Sequence, residues 1–186
     1  MNSLMRIFLL PLVFMAAVCP LLAQTWDKLE ECRLSPGWRD GDSFHVRHGS
    51  EEYIFRLYFV DTPEEQADRR FPERIADQAA YFGMSSEEVL KVGDQAAEFT
   101  AKALAEPFTV WTCWQKAPGA SSQQRYYGLV EVRGKWLSSM LVEAGLARIY
   151  GKRISLPDGK DSRAYRESLQ ALENQAKDLG RGGWRR

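Results

Sequence analysis

The sequence has no excess of either charge. Lys plus Arg and Asp plus Glu both total 25, so the formal net charge is +0 at pH 7. That excludes a protein gripping nucleic acid or an anionic membrane by bulk positive charge. Any attraction to phosphate has to come from a local cluster. Cysteine is scarce, with 3 in the chain and none in CxxC or CxxH spacing, which argues against a zinc site. Only 2 histidines occur, His45 and His48, with no third at ligand spacing, so both read as strand-surface residues. No repeat and no low-complexity tract is present, which removes solenoid and disordered classes.

What is present is an ordinary globular composition: 45% hydrophobic, 27% charged and 12% aromatic over 186 residues, enough for one domain with a real core. The N-terminus is different in kind. Residues 1–5 carry no acid, Arg6 supplies a positive charge, and residues 7–18 are mostly apolar before Pro20-Leu21-Leu22-Ala23 offers a small residue for cleavage. That is the three-part layout of a secretory leader, and the run is shorter than the roughly 20 residues that span a bilayer. A lipoprotein site at Cys19 is the weaker option because Val18 is bulky where a small residue is expected. The expected organisation is therefore a leader over 1–23, a single domain over 24–186, and a secreted or periplasmic location. Cys32 and Cys113 remain after cleavage. An oxidising compartment permits a disulfide between them, but sequence separation says nothing of geometry, so buried thiols and a single bridge both stay open.

Residues 43–46 and 53–60 (YIFRLYFV) have strand composition, and His48-Gly49-Ser50-Glu51 between them reads as a hairpin turn. A helical run opens at Phe71-Pro72-Glu73 and stops at Gly83. Ser85 with Glu88 three residues on forms a capping box for a short helix, and after Gly93 a further helix runs over 94–106 to Pro107. Residues 108–114 and 126–132 again suggest strands, separated by the 117–122 loop. Residues 137–144 suggest a short helix closed by Gly145, and 146–150 an extended piece. Tyr165, Leu169, Leu172, Ala176 and Leu179 make one stripe of a final helix stopped by Gly180. Short strands with inserted helices point to an α+β fold built on a small closed barrel of the oligonucleotide-binding type.

Two charged clusters stand out. Asp40-Gly41-Asp42 alone is a turn signal. In the run from Arg56 to Glu64 (RLYFVDTPE), Arg56 interrupts an apolar strand, where a charge is costly unless it is paired or used. Asp61-Thr62-Pro63-Glu64 then ends the strand, because Pro63 cannot donate to a ladder. Taken singly, Asp61 reads as a turn cap, Glu64 as a solvated charge and Arg56 as part of the exposed face of a half-buried strand. Taken together, Asp42 and Asp61 can face each other near one end of the hairpin, and two carboxylates with a backbone carbonyl suit a hard cation such as Ca²⁺. Glu64 could then activate a water, and Arg56 could hold a phosphate with its two-pronged donor set.

The strings DGDSF (40–44) and RLYFVDTPE (56–64) resemble the signature stretches of the staphylococcal nuclease family. The resemblance continues through GDQAAEFTAKAL (93–104), GLVEVRGKWLSSMLVEAGLARIYG (128–151) and the last helix with Trp184. It implies a five-stranded barrel with three main helices, plus an extra helical insert here. It also implies Ca²⁺ held by Asp42, Asp61 and the Thr62 carbonyl, a phosphate-binding Arg56, a water-activating Glu64, and Asp40 outside the first metal shell. The implied reaction cleaves the P–O5′ bond of DNA or RNA and leaves 3′-phosphate ends, by a protein expected to act as a monomer.

Two features depart from the family pattern. Tyr127 falls where the family carries a second catalytic arginine. Arg125, two residues earlier and on the same side of a strand, either substitutes for it or is a loop-end surface charge. The 65–92 insert, with Asp68-Arg69-Arg70, either borders the site or covers one barrel end, and the second is the expectation. Trp111, Trp114 and Lys116 could form a base-stacking platform, although strand aromatics are usually core, and Arg181, Arg185 and Arg186 make a basic tail. The alternative to an enzyme is a non-catalytic barrel that binds nucleic acid or protein.

Overall fold

In the computed structural model, residues 25–66, 72–119 and 123–185 are described. The expected leader, Asp68-Arg69-Arg70 and Arg186 lie outside the described residues. Nine strands and four helices follow in order. They are β1 (Asp27–Arg39), β2 (Ser43–His48), β3 (Glu51–Leu57), β4 (Val60–Asp61), α1 (Pro72–Phe82), α2 (Ser86–Ala103), β5 (Phe108–Thr112), β6 (Lys116–Ala117), β7 (Arg125–Val132), β8 (Lys135–Trp136), α3 (Leu137–Glu143), β9 (Arg148–Ile149) and α4 (Ser162–Asp178).

The barrel is five-stranded in the order β3-β2-β1-β5-β7 and is closed by a β3–β7 pairing. That closing pair is parallel, with Arg56 opposite Tyr127, while the other barrel pairs are antiparallel. Closure leaves no free edge among these five strands. Phe44, Val46, Phe55, Leu57, Val110, Leu129 and Val130 fill its core. The fold is α+β, as the strand and helix patterns predict.

β1 was not visible as a strand in the sequence. It is rich in charge and contains Pro36-Gly37, yet it bridges the barrel, pairing through 33–39 with β2 and through 27–32 with β5. The run 53–60 is not one strand. Phe59 has a φ of 71°, which ends the ladder after Leu57 and turns Val60–Asp61 onto β9 instead. Both residues at the kink are buried: Tyr58 packs on Trp26 and Tyr127, and Phe59 meets Tyr165 of α4 edge-on at 4.8 Å.

Gly93 does not separate two helices. One 18-residue helix, α2, runs through it from the Ser85–Glu88 capping box. A Cβ on Gly93 would lie 2.2 Å from the Glu64 carbonyl oxygen, so the missing side chain is what lets the loop after β4 rest on the helix. The stripe on α4 is confirmed at Tyr165, Leu169 and Ala176, but Leu179 at the C-cap is 57% exposed because the helix has ended there. α1 packs through Ile75, Ala79 and Phe82 on Val89 and Trp184. No disulfide joins Cys32 to Cys113 in the structure, which answers the open question of a bridge between them. Among the described residues no helix is long and apolar enough to cross a membrane.

Because Gly93 is a site of close backbone approach, Gly93→Ala should destabilise the domain by about 1–3 kcal/mol. Urea unfolding followed by tryptophan fluorescence checks this, and a substitution neutral to within a few tenths would mean the loop does not rest on α2.

Candidate functional site

The Asp40-Gly41-Asp42 turn, β4 and the loop after it converge on one face of α2. Gly41 is wedged there, since an added Cβ would stand 2.7 Å from both Ala96 Cβ and Thr62 Cγ2. Thr100 Oγ1 donates to the Gly41 carbonyl at 2.8 Å, and Leu57 N donates to the Asp42 carbonyl at 2.8 Å, fixing the turn to α2 and β3. Gly93, Ala96 and Thr100 lie at helical spacing on α2 and are buried, so a single helix face seats both clusters.

Arg56 Nη2 donates to Asp42 Oδ2 at 3.0 Å and to Asp61 Oδ1 at 2.7 Å, which brings the two aspartates onto one guanidinium. Asp42 sits just before β2, as expected, whereas Asp61 reaches the site from β4, outside the hairpin. Asp61 takes three further donors: Arg74 Nη2 at 2.6 Å on Oδ1, and Gln78 Nε2 at 3.0 Å and Arg148 Nε at 2.8 Å on Oδ2. Those four bonds match the roughly four lone-pair sites of a carboxylate. Asp42 Oδ2 also accepts from Thr62 N at 3.4 Å. Asp40 Oδ1 accepts from Thr62 Oγ1 at 2.9 Å and from Asp42 N at 3.2 Å, holding the two clusters together. Glu64 is ion-paired with Arg74, 2.6 Å from Oε1 to Nε.

Gln78 organises the loop from beneath. It is fully buried; its Nε2 donates to Asp61 Oδ2 and to the Thr62 carbonyl, both at 3.0 Å, and its Oε1 accepts from Glu64 N at 3.2 Å. One amide thus fixes Asp61, Thr62 and Glu64.

Burial dominates the electrostatics. It pushes the Asp42 carboxyl up to about 8, with Arg56 pulling down and Asp40 and Asp61 pushing further up. Asp40 is raised to about 6 by burial and by the neighbouring Glu64 charge. Burial also raises Glu64, with Arg74 opposing it. Arg56 is held firmly cationic, chiefly by Asp42. Arg125, opposite Ile54 at the start of β7, is lowered by burial and by repulsion from Arg56, while Asp40, Asp42 and Glu64 attract it. Its guanidinium lies against Gly119, where an added Cβ would stand 2.6 Å from Arg125 Cζ. Tyr127, opposite Arg56, stacks on Tyr58 with centroids 4.9 Å apart and feels Arg56 and Asp42.

The donor set suits a hard cation in part. Asp42 Oδ1 is buried with no hydrogen-bond partner among the described residues, an orphaned carboxyl oxygen of the kind a cation satisfies. The Thr62 carbonyl keeps a second lone pair beyond its bond from Gln78. Asp61 has no lone pair to spare, so a shared cation would have to displace one of its four donors. Among the described residues no group of three or more His, Cys, Asp or Glu side chains is placed to hold a metal by side chains alone.

Three residues of this cluster carried no sequence signal: Arg74, Gln78 and Arg148. The insert borders the site, which corrects the expectation that it covers a barrel end, since Arg74 and Gln78 both belong to α1. Arg74 and Gln78 share a helix face at four-residue spacing, but nothing local shows what that face meets. His45 pairs with Glu52 at 2.8 Å on the β2–β3 surface. Trp114 packs with Tyr53, Phe55 and Tyr126, and Trp111 Nε1 donates to Glu131 at 3.1 Å. Arg181 is half-buried and bonds the Glu143 carbonyl at 3.2 Å, so it is not a loose tail residue.

A family model described as staphylococcal nuclease homologue matches residues 54–186. The match begins within β3, so Asp40 and Asp42 precede it. Comparison with curated proteins finds no match.

Replacing Gln78 by Leu keeps its bulk and removes its three bonds, leaving buried groups unpaired. Gln78→Leu should destabilise by about 2 kcal/mol or more, read as a lower denaturation midpoint at unchanged m-value. A midpoint equal to the wild type would mean the amide does not hold the loop.

Proposed function

The chain belongs to the staphylococcal nuclease homologue family, and we propose that this member is an exported, calcium-dependent phosphodiesterase cutting DNA or RNA to 3′-phosphate ends. The observation that carries this reading is the meeting of Asp42, Asp61 and Arg56 in a buried cluster, with Glu64 beside it at the mouth. A barrel that only bound nucleic acid would have no use for carboxylates set against phosphate, because those charges repel.

In this reading Asp42, Asp61 and the Thr62 carbonyl would hold a calcium ion. Calcium when bound supplies positive charge next to a phosphoryl oxygen. Glu64 accepts the proton of the attacking water. Burial supports that role by raising its proton affinity above that of an exposed glutamate. The water oxygen bonds to phosphorus, the P–O5′ bond breaks, and the departing 5′-oxygen takes up a proton. Arg56 donates to the phosphate, where charge grows along that path. Arg125 supports the same field from the β7 side, in place of the guanidinium that Tyr127 does not provide. Export rests on the N-terminal leader pattern.

Hydrolysis of single-stranded DNA by the purified mature chain, with Ca²⁺ and with a chelator, tests this directly. Activity should need calcium and should fall by about 10²–10⁴-fold in Glu64→Gln. No cleavage by folded, calcium-supplied wild type would instead indicate a binding barrel. Calcium should also raise the wild-type Tm, because a ligand that binds only the folded state stabilises it. Asp42→Asn should lose that rise, and a rise retained in full would remove Asp42 from the ion's ligands.

A further inference from the structure

Three guanidinium groups converge on Asp61, and they are not equivalent. Arg148 is buried, its side chain 10% exposed, with its guanidinium over the Tyr150 ring at 4.5 Å. Arg56 is 13% exposed and tied to both aspartates. Arg74 is 32% exposed and pairs with Asp61 on one side and Glu64, itself 24% exposed, on the other. It is therefore the cation of this cluster most open to an incoming anion.

We infer that Arg74, supplied by α1, is a catalytic residue of this site whose guanidinium binds the phosphate of the substrate. This rests on the phosphodiesterase reading above. Both of its present partners can release it. Asp61 keeps Arg56, Gln78 and Arg148 when Arg74 leaves. Its departure would also free one of the four acceptor positions on Asp61, and a cation shared with Asp42 would need one of them. Glu64 stays in place through the bond from its own N–H to Gln78 Oε1, and its side chain is 24% exposed to solvent. A phosphate matches the geometry: the planar guanidinium donates from Nη2 to Asp61, while its Nε lies 2.6 Å from Glu64 without making a hydrogen bond, so paired N–H donors can turn to two phosphoryl oxygens. α1 stays docked without Arg74, because Ile75, Ala79, Phe82 and the buried Gln78 hold it.

The test compares wild type, Arg74→Ala and Arg74→Lys in two measurements. The first is calcium-dependent cleavage of single-stranded DNA. The second is the salt dependence of binding a phosphorothioate single-stranded oligonucleotide, measured in chelator. Arg74→Ala should lower kcat/KM on the order of 10²-fold, mostly through kcat, as for loss of one donor to developing charge. It should also reduce the slope of log K against log salt by about 0.7, the loss of one phosphate contact to a single strand. Arg74→Lys keeps the charge and loses the fork, so it should restore the slope and only part of the rate. If Arg74→Ala does not fold, Arg74→Gln reads the same slope. An unchanged slope in the Ala or Gln variant, even with a reduced rate, overturns the phosphate contact and leaves Arg74 a support for Glu64. Active wild type with an unaffected Arg74→Ala overturns this inference alone, whereas wild type that neither cleaves nor binds removes the phosphodiesterase reading with it.

Discussion

Everything near the site follows from three aspartates being buried. Asp40, Asp42 and Asp61 are 7%, 0% and 1% exposed, and taking a carboxylate out of water costs several kcal/mol unless donors replace the lost solvent. The surrounding residues supply those donors: Arg56 to two of the three, Arg74, Gln78 and Arg148 to Asp61, and the Thr62 hydroxyl to Asp40. Asp42 Oδ1 is buried and left without one among the described residues. Such clusters are costly to assemble and to break, since removing one partner strands the others. That makes an arrangement with this many buried charges hard to explain as packing alone.

The rigidity the chemistry needs comes from α2 and from closed pairing. Gly93, Ala96 and Thr100 make a strip of helix on which two loops from the same open end of the β2–β3 hairpin lie in direct contact. The kink at Phe59 then delivers Asp61 to β9, so that Arg148 can reach it. A straight continuation of β3 would have carried Asp61 along the barrel wall and away from Asp42.

Much of the fold was legible locally. The β2–β3 hairpin, the Ser85–Glu88 capping box, the α4 stripe and the stops at Gly83, Gly145 and Gly180 all depend on spacing and turn chemistry within a few residues. β1 was hidden because its pairing partners, not its own composition, make it a strand. Gly93 was misleading because a glycine in a helix reads as a break unless one knows what backbone lies against it.

The site divides in the same way. The sequence by itself determined that Asp42, Arg56, Asp61, Thr62 and Glu64 stand in two short charged clusters too unlike their apolar surroundings to be incidental, and it placed the chain's resemblance on them. Only the tertiary structure decided which other side chains join them. Arg74 and Gln78 arrive from α1 and Arg148 from β9, 13, 17 and 87 residues from Asp61 along the chain. Hydrogen bonds act over about 3 Å of space, whatever the separation along the chain. A residue's local pattern reports the element it forms, and the partner it meets is fixed by how those elements pack.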